Sequence, residues 1–127
     1  MISTLFSVAI GGALGASARY LTGVGMLRLF GQTGFPTAII TVNVLGSFLM
    51  GVFVVLAAQR GLTHLSPFVM VGLLGGFTTF SAFSLEAVDL FERGAIGLAA
   101  IYVASSVVLS IGALVIGVWF ARWVLVP

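Results

Sequence analysis

Residues 75–84 read Gly-Gly-Phe-Thr-Thr-Phe-Ser-Ala-Phe-Ser, in the middle of a long apolar segment. After the glycine pair come four hydroxyls (Thr78, Thr79, Ser81, Ser84) and three phenyl rings (Phe77, Phe80, Phe83), where a plain membrane helix would carry Leu, Val and Ile. Adjacent glycines are expected to break a helix, because Gly gives up the most backbone freedom on folding and tolerates unusual dihedrals. A break and a polar run at membrane depth are tolerated only where they face protein or a water-filled path. Phe80 and Phe83 stand at i and i+3, Ser81 and Ser84 repeat that spacing beside them, and Thr79 and Phe83 stand at i and i+4, so these groups share helix faces. A phenyl ring has a positive edge. Edge-on rings among hydroxyls can therefore solvate an anion without a fixed charge that would trap it, and conduction requires binding weak enough to release. Carbonyls freed near residues 75–78 offer the opposite chemistry, since such groups at half-helix ends coordinate small cations. The stretch predicts a path or site for a small ion.

Other polar residues within apolar segments point the same way. Asn43 lies in Thr41-Val42-Asn43-Val44-Leu45-Gly46-Ser47. A carboxamide in hydrocarbon must find partners, either across to another helix or by donating to an anion. Ser47 shares its face at i+4. Tyr102, Ser106 and Ser110 at i, i+4 and i+8 form one stripe of hydroxyls, the wall of a polar track. Arg19 follows Gly12, Gly15 and Ala16 on one face of the first segment. It either snorkels to the interface or places a fixed positive charge at a vestibule that raises local anion concentration. Glu86, Asp89 and Glu92 step by three towards Arg93, as a solvated helix end, with Glu86 the deepest and a possible end of the track.

These groups need elements that span a bilayer, and the composition supplies them. Of 127 residues 61% are hydrophobic and 6% charged, against about 25% charged in a soluble domain. Four apolar segments, about residues 4–27, 37–59, 66–91 and 95–124, each meet the roughly 20 residues needed to cross the hydrocarbon. Pro36 and Ser66-Pro67 mark helix starts. The short intervening loops predict one all-α unit of four transmembrane helices, residues 1–127, with the third broken near residues 75–78. The first apolar run has no basic leader and exceeds a signal-peptide core in length, so it is expected to stay in the mature chain. Gly11, Gly12, Gly15, Gly46, Gly51, Gly112 and Gly117 lie inside spans, where small residues let helix backbones approach closely.

The same inventory argues against catalysis. Cysteine is absent and histidine occurs once, as His64, so neither a Ser-His-Asp set nor a His-based metal cluster can be assembled. The calculated isoelectric point of about 10 comes from five basic against three acidic residues. The arginines are scattered singly, so there is no basic patch for nucleic acid. Their placement bears instead on insertion. Alternation puts Arg60 and Arg122 on one side and Arg28 and Arg93 on the other. Orientation follows Lys/Arg asymmetry in short flanks, and a balanced count predicts insertion both ways round and an antiparallel, dual-topology dimer with its two-fold axis in the membrane plane.

Residues 75–86, Gly-Gly-Phe-Thr-Thr-Phe-Ser-Ala-Phe-Ser-Leu-Glu, resemble the signature of the Fluc (CrcB-type) fluoride channels. Thr41-Val42-Asn43-Val44-Leu45-Gly46 is similar to their second-helix motif, and residues 11–19 to their Gly-rich first helix ending in arginine. The resemblance covers the whole chain. It implies an inverted homodimer of four-helix subunits in the plasma membrane, the inner membrane if the source is bacterial. It further implies two antiparallel pores and a structural sodium ion at the dimer centre, held by backbone carbonyls that fall here on Gly75 and Thr78. By the same resemblance Phe80 and Phe83 are pore-facing rings, Asn43 donates to fluoride, Tyr102, Ser106 and Ser110 form the polar track, and Arg19 lies at the vestibule. The implied activity is passive fluoride export, which relieves fluoride toxicity. Two positions depart from the family pattern. Ala38-Ile39 stands where Gly-Thr is usual, with Thr41 or Thr37 as the replacement hydroxyl, and Ala82 stands where a hydroxyl is often found. The alternative from composition is a small dual-topology proton-coupled multidrug exporter. That reading needs an intramembrane carboxylate, for which only Glu86 is available. A scaffold without transport leaves the aligned polar groups unexplained.

Overall fold

The computed structural model describes residues 1–125, all of the regular structure being helical. Four helical stretches are long and apolar enough to cross a membrane: Ile2–Phe30, Thr37–Arg60, Thr63–Glu92 and Ile96–Leu125. The first, second and fourth are single helices, α1 (Ile2–Phe30), α2 (Thr37–Arg60) and α5 (Ile96–Leu125). The third is composite. A 3₁₀ turn, Thr63–Leu65, leads into a π-helical stretch, Pro67–Leu74, then the short α3 (Gly75–Phe77) and, after a bend, α4 (Phe80–Glu92). Pro67 opens it as expected, but the Ser66 side chain makes no capping bond.

Because lipid is as apolar as Leu, helices in a membrane associate through close packing rather than through exclusion of apolar surface. Two glycine seams do this work. α2 and α5 form the most extensive pair. A Cβ on Gly51 would collide with the Leu114 carbonyl, and one on Gly117 with the Phe48 carbonyl. α1 docks on the π-helical stretch and α3 through Gly11 and Gly15 against Phe68, Gly72, Leu73 and Phe77. Gly12 and Gly112 also lie in spans, yet a Cβ on either meets nothing within 4 Å. This predicts different outcomes for two glycines three residues apart. In Gly15→Ala the new carbon would stand 2.8 Å from the Phe77 nitrogen, as well as against the Leu73 carbonyl. Backbone atoms cannot swing aside, so a loss of about 1–3 kcal/mol is expected. Gly12→Ala should leave the melting temperature in detergent unchanged or slightly raised. Equal melting of the two variants would rule out the seam as described.

The bend in the third span does not fall on the glycine pair. Gly75 is helical, with φ −63° and ψ −38°, and Gly76 lies within α3. The backbone turns extended at Thr78 (φ −86°, ψ 159°) and Thr79 (φ −154°, ψ 120°). Gly76 is needed for approach instead. A Cβ on Gly76 would stand 2.7 Å from the Gly12 carbonyl oxygen. What holds the chain extended at Thr79 is a partner on another helix.

Candidate functional site

That partner is Asn43, in α2. Its carboxamide nitrogen donates to the Thr79 carbonyl (3.0 Å), and its oxygen accepts from the Thr79 N–H (2.8 Å). One side chain thus pairs with both polar groups of one residue as a neighbouring strand would, at depth where unpaired backbone is expensive. The Thr79 side chain then caps α4, accepting from the Ala82 N–H at 3.1 Å, an N-cap role suited to Thr. Ser81 Oγ lies 3.2 Å from Thr79 Oγ1. Thr78 stays with the preceding turn: its N–H and its hydroxyl both donate to the Leu74 carbonyl, at 3.0 and 2.9 Å.

These bonds redirect two amides from their helical acceptors. In an uninterrupted helix the Thr79 N–H would donate to the Gly75 carbonyl and the Ala82 N–H to the Thr78 carbonyl. Here they go to Asn43 and to the Thr79 hydroxyl. The carbonyl oxygens of Gly75 and Thr78 are left with unspent acceptor capacity beside the bend.

The bend faces a groove of about 450 Å³ lined by residues of α2, the bend, α4 and α5. Asn43, Thr78, Thr79, Phe80, Phe83, Ser106 and Ser110 are all on its wall, with Ser47 and Met50 added from α2. The groove contains no charged side chain. Its polar groups are an amide, hydroxyls and the N-terminal end of α4, whose first N–H groups carry the positive end of the helix dipole. Ser106 is buried, and its hydroxyl has no hydrogen-bond partner. Buried hydroxyls are nearly always paired, so an unpaired one on the wall of a groove marks a place for a polar guest. The Phe80 and Phe83 rings lie 5.3 Å apart. Phe83 is buried, whereas Phe80 is 77% exposed.

The other predicted positions lie off the groove. Tyr102 is fully buried behind Phe83, their ring centroids 5.3 Å apart, and its hydroxyl donates to Glu86 Oε2 at 3.2 Å. The hydroxyl stripe is therefore divided, with Ser106 and Ser110 on the groove and Tyr102 in the layer beneath. Ser84 bonds back to the Phe80 carbonyl, the self-satisfying arrangement of a helical serine. Arg19 keeps a buried Nε without a partner. Asp89 and Arg93 pair at 3.0 Å on the exposed end of α4, where such a bond contributes little. Thr41, a replacement for the hydroxyl absent at Ala38-Ile39, donates to the Thr37 carbonyl within its own turn. It lines a separate apolar pocket between α2 and α5.

Sequence reasoning passed over Phe35 and gave Gly46 only a general packing role. Phe35, in the loop before α2, packs edge-on against Tyr102 (5.6 Å, 89°). Gly46 takes the Thr78 methyl into the space where a Cβ would stand. The signal for Gly46 was present: it follows Asn43 by three residues, on the face that meets the bend.

Comparison with known proteins agrees with the arrangement. Residues 6–118 match the family model described as CrcB-like protein, Camphor Resistance (CrcB). A protein of Ruegeria sp. (strain TM1040) named "Fluoride-specific ion channel FluC" is 67% identical over 125 residues, 98% of this chain and 99% of the relative. One of the same name from Roseobacter denitrificans is 65% identical over 97% of this chain and 98% of the relative. One from Rhodospirillum centenum, also so named, is 55% identical over 93% and 94%. With four helices able to span a membrane and full-length bacterial relatives, the chain is a multi-pass bacterial membrane protein. It belongs to the CrcB-like family.

Proposed function

We propose that this chain is a passive, fluoride-selective channel that lets fluoride leave the cytoplasm. The observation that carries the reading is the Ser106 hydroxyl, buried and unpaired on the wall of a groove that also holds Asn43, Ser110, Phe80 and Phe83. The names of its relatives support the choice of ion. Fluoride is small and strongly hydrated, so a path for it must replace water with donors at short range. Asn43 spends one amide hydrogen on Thr79 and keeps a second for the ion. Ser106 and Ser110 add hydroxyls, Phe80 and Phe83 add positive ring edges, and the start of α4 adds a favourable dipole. None of these is a full positive charge, so the ion is held weakly enough to move on. Export follows from chemistry outside the protein: neutral HF crosses the bilayer, ionises in the less acidic interior, and leaves as the anion.

The working unit in this proposal is an antiparallel homodimer with two pores. The exposure of Phe80, a groove open on one side and the balanced arginine flanks support it. A structural sodium ion fits the same assembly. The Gly75 and Thr78 carbonyls have acceptor capacity to spare, and no cluster of three or more His, Cys, Asp or Glu exists among the described residues to hold another kind of metal. Those carbonyls would hold the ion, which supplies positive charge to tie two bends together. Replacing sodium by N-methylglucamine throughout should lower the melting temperature of the purified protein in detergent, and readdition of sodium should restore it. No shift would remove the ion from the proposal.

The decisive measurement is fluoride efflux from liposomes containing this chain alone, read with a fluoride electrode and without a pH gradient. Rapid efflux with negligible chloride flux is expected. A flux that needs a proton gradient would favour the proton-coupled exporter, for which Glu86, bonded to Tyr102 off the groove, is the available carboxylate. No flux would end the channel reading.

A further inference from the structure

Tyr102 is the most enclosed large side chain of the protein, with no exposed surface. It packs on Phe83, a residue of the groove wall, and reaches Glu86 through its hydroxyl. The loop between α1 and α2 closes over its other side. Phe35 inserts from that loop, its ring perpendicular to that of Tyr102 at 5.6 Å, and packs on the buried cluster of Phe83, Leu90, Ala99 and Tyr102. Offset and edge-to-face pairs of this kind are directional, so the two neighbours fix the tilt of the Tyr102 ring between them.

Phe35 is itself held. Its carbonyl accepts from the Thr33 hydroxyl at 2.7 Å and from the Thr37 N–H at 2.9 Å. The second bond spans Pro36, whose φ of −80° and ψ of 71° are those of an inverse γ-turn. Proline also restricts the residue before it to extended backbone. A short loop thus carries one aromatic anchor on a locked backbone, facing inward. Loops between membrane helices seldom need such a fixture merely to connect, since a few polar residues suffice.

We infer that Phe35 is a positioning residue: by clamping the Tyr102 ring against Phe83 it aims the Tyr102 hydroxyl at Glu86 and sets the orientation of the Phe83 ring at the groove. The α1–α2 loop then belongs to the working site although none of its residues lines the groove. This inference rests on the channel reading for its effect on flux, but not for its effect on the ring.

The test has two readouts, made on the full chain. The first is independent of conduction. In a Tyr20→Phe background, 3-fluorotyrosine labels Tyr102 alone. The parent should give one narrow fluorine resonance. Phe35→Ala should shift it and broaden or split it as the ring gains a second orientation, with Phe35→Trp, which keeps an aromatic ring and adds no tyrosine, restoring one narrow resonance. The second readout is fluoride efflux. Phe35→Ala should lower the rate roughly three- to tenfold, the loss expected from one aromatic contact. In a Tyr102→Phe background, where no hydroxyl remains to be aimed, the same substitution should lower the rate by less than half as much. An unchanged fluorine resonance in Phe35→Ala overturns the inference. So does an unchanged flux in Phe35→Ala, while an equal flux loss in both backgrounds strikes the aiming of the hydroxyl and assigns the effect to the Phe83 ring. If the parent chain conducts no fluoride, the channel reading fails, while the resonance still decides whether Phe35 positions Tyr102.

Discussion

Asn43→Asp should stop fluoride conduction and also loosen the third span. The side chain is isosteric, so any change is chemical. The carboxylate can still accept from the Thr79 N–H, at the 2.8 Å the amide oxygen now keeps. Its second oxygen would face the Thr79 carbonyl where a nitrogen now donates at 3.0 Å. That trades a hydrogen bond for a repulsion between two acceptors, a penalty of about 1–3 kcal/mol. A negative charge would also stand on the wall of an anion path. Two like charges 4 Å apart at an intermediate dielectric repel by about 4 kcal/mol, enough to lower efflux by a hundredfold or more. Asn43→Ala separates the two effects: it loses both bonds to Thr79 without adding charge. Its melting temperature should fall about as far as that of the aspartate variant, while its flux should stay above it. Efflux in Asn43→Asp within twofold of the parent would remove Asn43 from the path.

The extent to which this protein can be read from its sequence follows from the distance over which each feature is decided. Membrane spans are local, set by runs of apolar residues, and the four helices lie close to where hydropathy and Pro36 and Pro67 put them. Polar residues inside such runs stand out because there are few of them. That is why Asn43, Ser106, Ser110, Phe80 and Phe83 could be named before their groove was known. The bend lies at Thr78 and Thr79, at the end of the expected 75–78 stretch rather than on its glycines, because it is decided between elements. Gly75-Gly76 looks like a break in isolation, but both glycines remain helical, Gly76 where it receives α1, and the extended backbone falls at the residue whose amide and carbonyl Asn43 captures from 36 positions away. Tyr102 was placed on the track because of its spacing with Ser106, which fixes a helix face but not the depth behind a neighbour. Phe35 was passed over because an aromatic before a proline at a helix start reads as punctuation. Its target, Tyr102, lies on the last helix.

The two rings of the groove should separate conduction from stability, because the fold of the chain treats them differently. Phe83 is buried and stacked on Tyr102. Phe83→Ile should therefore lose aromatic contact as well as ring edge, lowering stability by about 1–2 kcal/mol together with efflux. Phe80 is 77% exposed, with the Phe83 ring centroid 5.3 Å from its own. Phe80→Ile keeps bulk and hydrophobicity, so the fold of the chain should be unaffected. What it removes is the positive ring edge, for which an aliphatic side chain has no substitute. Efflux should then fall by at least tenfold in both variants, with a clear drop in melting temperature only for Phe83→Ile. A further comparison, Phe80→Met, isolates the electrostatic part: a thioether is polarisable and flexible but presents no ring edge, so a partial recovery of flux would mean that polarisability rather than the quadrupole carries the ion past this position. If Phe80→Ile conducts like the parent while Phe83→Ile does not, the anion passes one ring only, and the outward ring serves to pack against whatever covers the open side of the groove. If both conduct, the rings are packing alone, and Asn43, Ser106 and Ser110 must strip the ion of its water unaided.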